Sequence, residues 1–108
     1  MALSIKPYIE NKERIHLIGI GGVSMNSLGE LLLSRGVPIS GSDRLRTDVT
    51  ARLEALGAKI TYEHKPENVE GASLIVRTAA VHDDNPEIVR AHELGIPVME
   101  RAEAWGHL

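Results

Sequence analysis

The glycines of Ile18-Gly19-Ile20-Gly21-Gly22-Val23-Ser24-Met25 constrain this chain more than any other segment, because they join an apolar run to a helical pattern. Arg14-Ile15-His16-Leu17-Ile18 reads as a short buried strand, and Met25, Leu28, Leu31 and Leu32 then recur at helical spacing. A strand-to-helix turn made of glycines lacks the Cβ atoms that keep an anion away from the main chain. The unpaired N–H groups of the helix's first turn add donors and the positive end of the helix dipole. A pyrophosphate suits this geometry best. Gly19-x-Gly21-x-x-Ser24 carries the first two glycines of the dinucleotide fingerprint, with serine where a third glycine or alanine is expected. The turn reads either as a phosphate cradle or as a glycine-rich corner that binds nothing. Asp43, which ends the next expected strand, Pro38 to Asp43, stands where such folds place an acid to accept hydrogen bonds from ribose hydroxyls.

Further along, helical patterns stop at glycine and strands begin at once: Arg35-Gly36-Val37, Leu56-Gly57-Ala58, Leu94-Gly95-Ile96. A second helix is expected from Asp48 to Leu56, capped by Thr47 or Asp48, with Val49, Leu53 and Leu56 facing the core. Ala58 to Tyr62 forms a third strand, and the continuous apolar centre of Ala72 to Arg77 suits a fourth, covered on both faces. Asn85-Pro86-Glu87 combines an N-cap, a proline at the first helical position and an acid in the first turn. That helix ends at Gly95, Ile96 to Met99 makes an edge strand, and a short helix begins at Arg101 and runs to Leu108. Strands and helices that alternate through short links pair in parallel by right-handed crossovers. The expected fold is a single α/β domain with a five-stranded, doubly wound, Rossmann-like parallel sheet in the order 3-2-1-4-5. Ligands bind such sheets at the switch point, here between strands one and four, where the glycine turn, Ser42-Asp43-Arg44 and Thr78-Ala79-Ala80-Val81 converge.

With 108 residues the chain makes one domain, too short for a nucleotide-binding half and a catalytic half together. A net charge of −3 gives no global basic field to draw in nucleic acid, so an anion must be held by local backbone donors. The absence of cysteine removes disulfides, thiolate metal sites and cysteine nucleophiles. No signal-peptide core and no segment of membrane-spanning length occurs, so the expected address is the cytoplasm, away from any membrane.

Seven blocks in order resemble the N-terminal domain of the Mur ligases, over nearly everything from Arg14 to Leu108. They are His16-Leu17-Ile18-Gly19-Ile20-Gly21-Gly22 with Met25, Ser40-Gly41-Ser42-Asp43, Leu56-Gly57-Ala58, Glu70-Gly71-Ala72, Thr78-Ala79-Ala80-Val81, Asp84-Asn85-Pro86-Glu87 and Gly95-Ile96-Pro97-Val98. Within the family the chain is most similar to the branch that joins L-alanine to UDP-N-acetylmuramate; a murein-tripeptide-recycling branch shares the same UDP-sugar. Val23-Ser24 and Asn26-Ser27 depart from the small residues common there. The resemblance implies a domain that holds the UDP part of UDP-N-acetylmuramic acid, while ATP and magnesium are handled by central and C-terminal domains of a parent enzyme. No Gly-x-x-x-x-Gly-Lys-Ser/Thr loop occurs in these residues, so no catalytic residue is assigned and the isolated chain is expected to be inactive.

The backbone N–H groups of Gly21, Gly22, Val23 and Ser24 are the candidate pyrophosphate donors, with the Ser24 hydroxyl adding one bond. Asp43 is the candidate ribose or uracil contact, against the plainer reading of a solvated acid ending a strand. Arg44 can pair with phosphate, lie against the base or stand exposed without a role. His64, near where relatives carry a histidine beside the uridine, can stack, donate a hydrogen bond or do neither. Thr78 and Ala79 can meet uracil through hydroxyl and backbone, or Thr78 can cap its turn. His16, His82, His92 and His107 lack helical i, i+4 pairing, so no metal site is assigned. Met25 is read as packing, and Asp83-Asp84 as charge that favours the following helix dipole. Two rival functions stand beside this one: an NAD-binding module of a dehydrogenase or redox-sensing regulator, and an interaction domain with no nucleotide affinity.

Overall fold

A computed structural model describes residues 4–106. Its five strands form one parallel sheet in the order β3-β2-β1-β4-β5, the doubly wound arrangement expected from the sequence. The elements are α1 (Lys6–Glu10), β1 (Ile15–Ile18), α2 (Val23–Ser34), β2 (Ile39–Ser42), α3 (Asp48–Ala55), β3 (Lys59–Thr61), β4 (Leu74–Arg77), α4 (Pro86–Leu94), β5 (Val98–Glu100) and α5 (Arg101–Gly106), with a 3-10 turn at Pro66–Val69. The expected run of α5 to Leu108, and His107 with it, lies outside the described residues. Gly36 and Gly57, just past the ends of α2 and α3, have φ of +78° and +113°, so each helix stops where only glycine takes the left-handed turn without strain.

Alternation along the strands assigns the two faces. Ile15 and Leu17 of β1 and Ile39 of β2 join Met25, Leu28, Leu32, Leu53, Leu74, Val76, Met99 and Ala104 in the larger core, beneath α2, α3 and α5. On the other face α4 and the 3-10 turn pack Ile88, Ala91 and Val69 against Ile18, Ala72 and Ile75. Gly29 lets α2 approach the sheet closely, since a Cβ there would stand 3.1 Å from the Leu17 side chain.

Several local expectations are corrected. In α3 the inward residues are Thr50 and Leu53, whereas Val49 and Leu56 are 39% and 50% exposed. The cap explains the rotation: Thr47 Oγ1 accepts from Thr50 N–H while Thr50 Oγ1 accepts from Thr47 N–H, which turns Thr50 under the helix and swings Val49 outward. The edge strand starts at Val98, because Pro97 offers only its carbonyl, which accepts from Ile75 N–H. Asn85 caps α4 as expected by accepting from Glu87 N–H, and Glu87 stands in the first turn as expected, its side chain fully buried. Asp83 pairs with Arg77 at 2.7 Å rather than serving the dipole of α4. Helix α1, which the sequence reading left without structure, seats Ile5 in the larger core, with Tyr8 and Ile9 against its edge.

Candidate functional site

At the carboxyl end of β1 the chain turns through Gly19, whose φ of +75° only glycine adopts freely. Gly19 and Ile20 both donate to the Ser42 carbonyl, at 2.8 and 3.1 Å, tying the turn to the end of β2. Gly22 N–H donates to the Gly19 carbonyl at 3.0 Å, and Gly21 N–H donates to Asp43 Oδ2 at 2.9 Å. Gly22 is the N-cap of α2 at φ −65° and ψ 154°, and it supplies no side-chain cap. The first-turn N–H groups of Val23, Ser24 and Met25 therefore take no acceptor among the described residues. Of the four donors expected from the sequence, Gly21 and Gly22 are engaged within the corner, whereas Val23 and Ser24 are exposed and open to an anion.

Asp43 has a structural task that its sequence position did not reveal. Besides Gly21 N–H on Oδ2, its Oδ1 accepts Leu45 N–H at 3.1 Å, so one carboxylate fixes both the glycine corner and the loop after β2. The corner has little spare room: a Cβ on Gly21 would meet Asp43 Oδ2 at 2.9 Å and Thr50 Cγ2 at 3.0 Å.

Beside this corner lies a cleft of about 860 Å³. Ile18 and Gly19 form its floor at the switch point, Arg44, Tyr62 and His64 line one side, and Ala80 to His82 with Asp84 to Pro86 line the other. Of the candidate contact residues, Arg44 and His64 face this cleft, together with Gly19, Ala80 and Val81 of the segments expected to converge at the switch point. Gly21 to Ser24, Asp43, Thr78 and Ala79 do not line it. The Thr78 carbonyl accepts Val81 N–H at 3.1 Å and so closes the turn after β4. Arg77, mostly buried, holds the same loop by donating to the Val81 carbonyl and to Asp83. Tyr62, whose ring lies 4.1 Å below the Arg46 guanidinium, and His82 were not singled out as cleft residues.

Under the cleft runs a buried polar chain that the sequence reading missed. His16 Nε2 lies 2.6 Å from Glu87 Oε1 and His16 Nδ1 2.8 Å from Ser40 Oγ. Ser42 Oγ donates to Glu87 Oε1 at 2.9 Å and stands 3.1 Å from His64 Nδ1. Glu87 Oε2 accepts Asn68 Nδ2 at 2.9 Å and Lys65 N–H at 3.2 Å. Burial pushes the Glu87 carboxyl up, but the hydrogen bond and charge of His16, with the hydrogen bonds of Asn68 and Ser42, outweigh it and leave the group below its ordinary value. One signal for this chain was available in the sequence. A histidine in an apolar strand, and serines two apart in the next, fall on one face of paired parallel strands, where His16 lies opposite Ser40.

Residues 14–108 match the model of the Mur ligase family, catalytic domain. A UDP-N-acetylmuramate–L-alanine ligase of Clostridium novyi is 48% identical over 99 residues, covering 92% of this chain and 22% of that protein. The crystal structure of a UDP-N-acetylmuramate–alanine ligase from Thermotoga maritima superposes with a TM-score of 0.79 at 39% identity, over 83% of this chain and 21% of that one. A UDP-N-acetylmuramate:L-alanyl-γ-D-glutamyl-meso-diaminopimelate ligase from Neisseria meningitides shares the fold, with a TM-score of 0.75 at 24% identity over 82% of this chain and 28% of that one. The chain spans about a fifth of the length of the curated relatives it matches. With nearly every described residue inside the matched region, the glycine corner at the switch point is that of a member of the Mur ligase family.

Proposed function

We propose that this domain holds the UDP moiety of UDP-N-acetylmuramic acid, as the N-terminal domain of an ATP-dependent UDP-N-acetylmuramate:L-alanine ligase of peptidoglycan biosynthesis. The observation that carries the proposal is the pair of exposed, unpaired first-turn donors at Val23 and Ser24, next to a cleft roomy enough for a nucleoside. The diphosphate takes those N–H groups and the Ser24 hydroxyl, and the uridine enters the cleft between Arg44, His64 and the loop after β4. Thr78 and Ala79 shape that loop from behind, and Asp43 keeps unused lone pairs for a ribose hydroxyl. The 48% identity to an L-alanine ligase supports this branch.

In the parent enzyme ATP phosphorylates the substrate carboxylate with loss of ADP, and the amine of L-alanine displaces phosphate from the acyl phosphate to form the amide. ATP and magnesium belong to the central domain in this reading, since residues 1–108 contain no Gly-x-x-x-x-Gly-Lys-Ser/Thr loop. The parent works in the cytoplasm; no helix among the described residues is long and apolar enough to cross a membrane.

Gly22→Asp is the direct test. The backbone of Gly22 is in an extended conformation open to any residue, although the new Cβ would stand 3.2 Å from the Gly19 carbonyl oxygen. An aspartate N-cap accepts the donors meant for phosphate and adds a negative charge, so UDP affinity by calorimetry should fall more than about tenfold, roughly 1.4 kcal/mol, with uridine little changed. A folded Gly22→Asp chain that binds UDP as wild type does would remove the diphosphate from this corner. Tighter binding of NAD than of UDP would instead favour the dehydrogenase-type module.

A further inference from the structure

His64 follows β3 with its ring on the wall of the cleft and its Nδ1 turned into the protein. The protonation of that nitrogen follows from Glu87. A carboxylate only accepts, and Glu87 Oε1 receives Ser42 Oγ–H at 2.9 Å. The one hydroxyl proton of Ser42 is thereby committed, so toward His64, 3.1 Å away, the Ser42 oxygen acts as acceptor and Nδ1 must carry the hydrogen. Glu87 Oε2, 3.5 Å from the same Nδ1, imposes the same polarity. A neutral imidazole has a single N–H, which leaves the lone pair on Nε2; that nitrogen has no hydrogen-bond partner among the described residues.

We infer that Glu87 and Ser42 are positioning residues that lock His64 in its Nδ1–H tautomer, so that Nε2 faces the cleft as an acceptor and selects a base that brings an N–H donor. This deepens the uridine reading and rests on it. The imide N3–H of uracil satisfies such an acceptor, whereas N3 of cytosine is itself an acceptor and meets it lone pair to lone pair. Buried Glu87, which touches no ligand, thereby sets base choice through two intervening side chains.

The first measurement needs no ligand. Long-range proton–nitrogen correlation NMR at pH 8.5 should show His64 as the Nδ1–H tautomer in the wild-type chain. Ser42→Ala removes the nearer acceptor and leaves Glu87 Oε2 at 3.5 Å, so the Nε2–H form should gain population while the fold persists. The second measurement compares UDP with CDP, whose diphosphates are identical. Wild type should prefer UDP by about tenfold, and His64→Phe, which keeps a ring but no acceptor, should reduce the preference to within about twofold. An Nε2–H tautomer in wild type, or an undiminished UDP preference in His64→Phe, overturns the inference. The expected tautomer in a chain that binds neither nucleotide would uphold the positioning by Glu87 and remove the uridine reading.

Discussion

The glycine corner and the Glu87 chain lie side by side at the central strands β1 and β2, and they are built from different materials. The corner is main chain: contiguous residues from Gly19 to Met25, with one carboxylate, Asp43, holding the turn in shape. The Glu87 chain is made of side chains from β1, β2, the segment after β3 and the first turn of α4, with His16, Ser42 and Glu87 buried and His64 at the cleft. Main-chain donors cost the protein nothing in burial, because water or ligand can reach them. The enclosed carboxylate is favourable only while every one of its partners is in place. The corner should therefore be sensitive to shape and the Glu87 chain to the loss of any polar group.

The largest expected effect tests that contrast at its stronger end. Glu87→Ala leaves His16 Nε2, Ser42 Oγ, Asn68 Nδ2 and Lys65 N–H without their acceptor, and should cost about 3 to 5 kcal/mol of unfolding free energy in urea titrations. A loss below about 1 kcal/mol would show that the chain is dispensable. Next comes the corner's dependence on shape. Gly41 lies in β2 beneath Ile20, and a Cβ there would stand 2.6 Å from Ile20 Cδ1 and 2.9 Å from the Leu17 carbonyl oxygen. Gly41→Ala should cost about 1 to 3 kcal/mol by overpacking, read from the same titrations. Unaltered stability would mean the corner tolerates a change of shape.

Acid provides a third, smaller discrimination. The Glu87 carboxyl is held below the ordinary value of 4.5 in the folded chain, so its contribution is complete above that value and disappears as pH falls through the lower, folded one. Thermal melts between neutral pH and pH 3 should show wild type losing more stability over this window than Glu87→Gln; parallel curves would refute the assignment. The smallest effect is expected at Val49, beside Thr50, which floors the glycine corner. With Val49 already 39% exposed, Val49→Ser should change stability by less than about 0.5 kcal/mol, and a larger loss would restore Val49 to the core.

The same contrast separates what the sequence discloses from what it hides. Strand order, the helix stops at Gly36 and Gly57, and the Asn85 cap are local signals, readable because each depends on residues within a few positions. Glu87 looked like a first-turn acid because its helix position is that of one; its burial depends on His16 and Ser42, which only the β1–β2 register and the docking of α4 bring within reach. The inward rotation of α3 was hidden for a related reason. Val49 and Leu56 fit the apolar pattern, but the reciprocal cap between Thr47 and Thr50 fixes which side of the helix meets the sheet. Asp43 was recognised as a functional acid by position, yet its bonds to Gly21 and Leu45 needed the turn in three dimensions.

The partner of His16 lies 71 residues further along the chain, which has a consequence for how this domain comes off the ribosome. β1 and β2 emerge early and can pair, but the face that carries His16, Ser40 and Ser42 then has no carboxylate to meet it. Closing that face before Pro86 and Glu87 have been made would trap a histidine and two hydroxyls away from water with little to bond. Until α4 arrives, the half-built sheet does better left open on that side, so the domain's final closure waits on its last third rather than accumulating strand by strand.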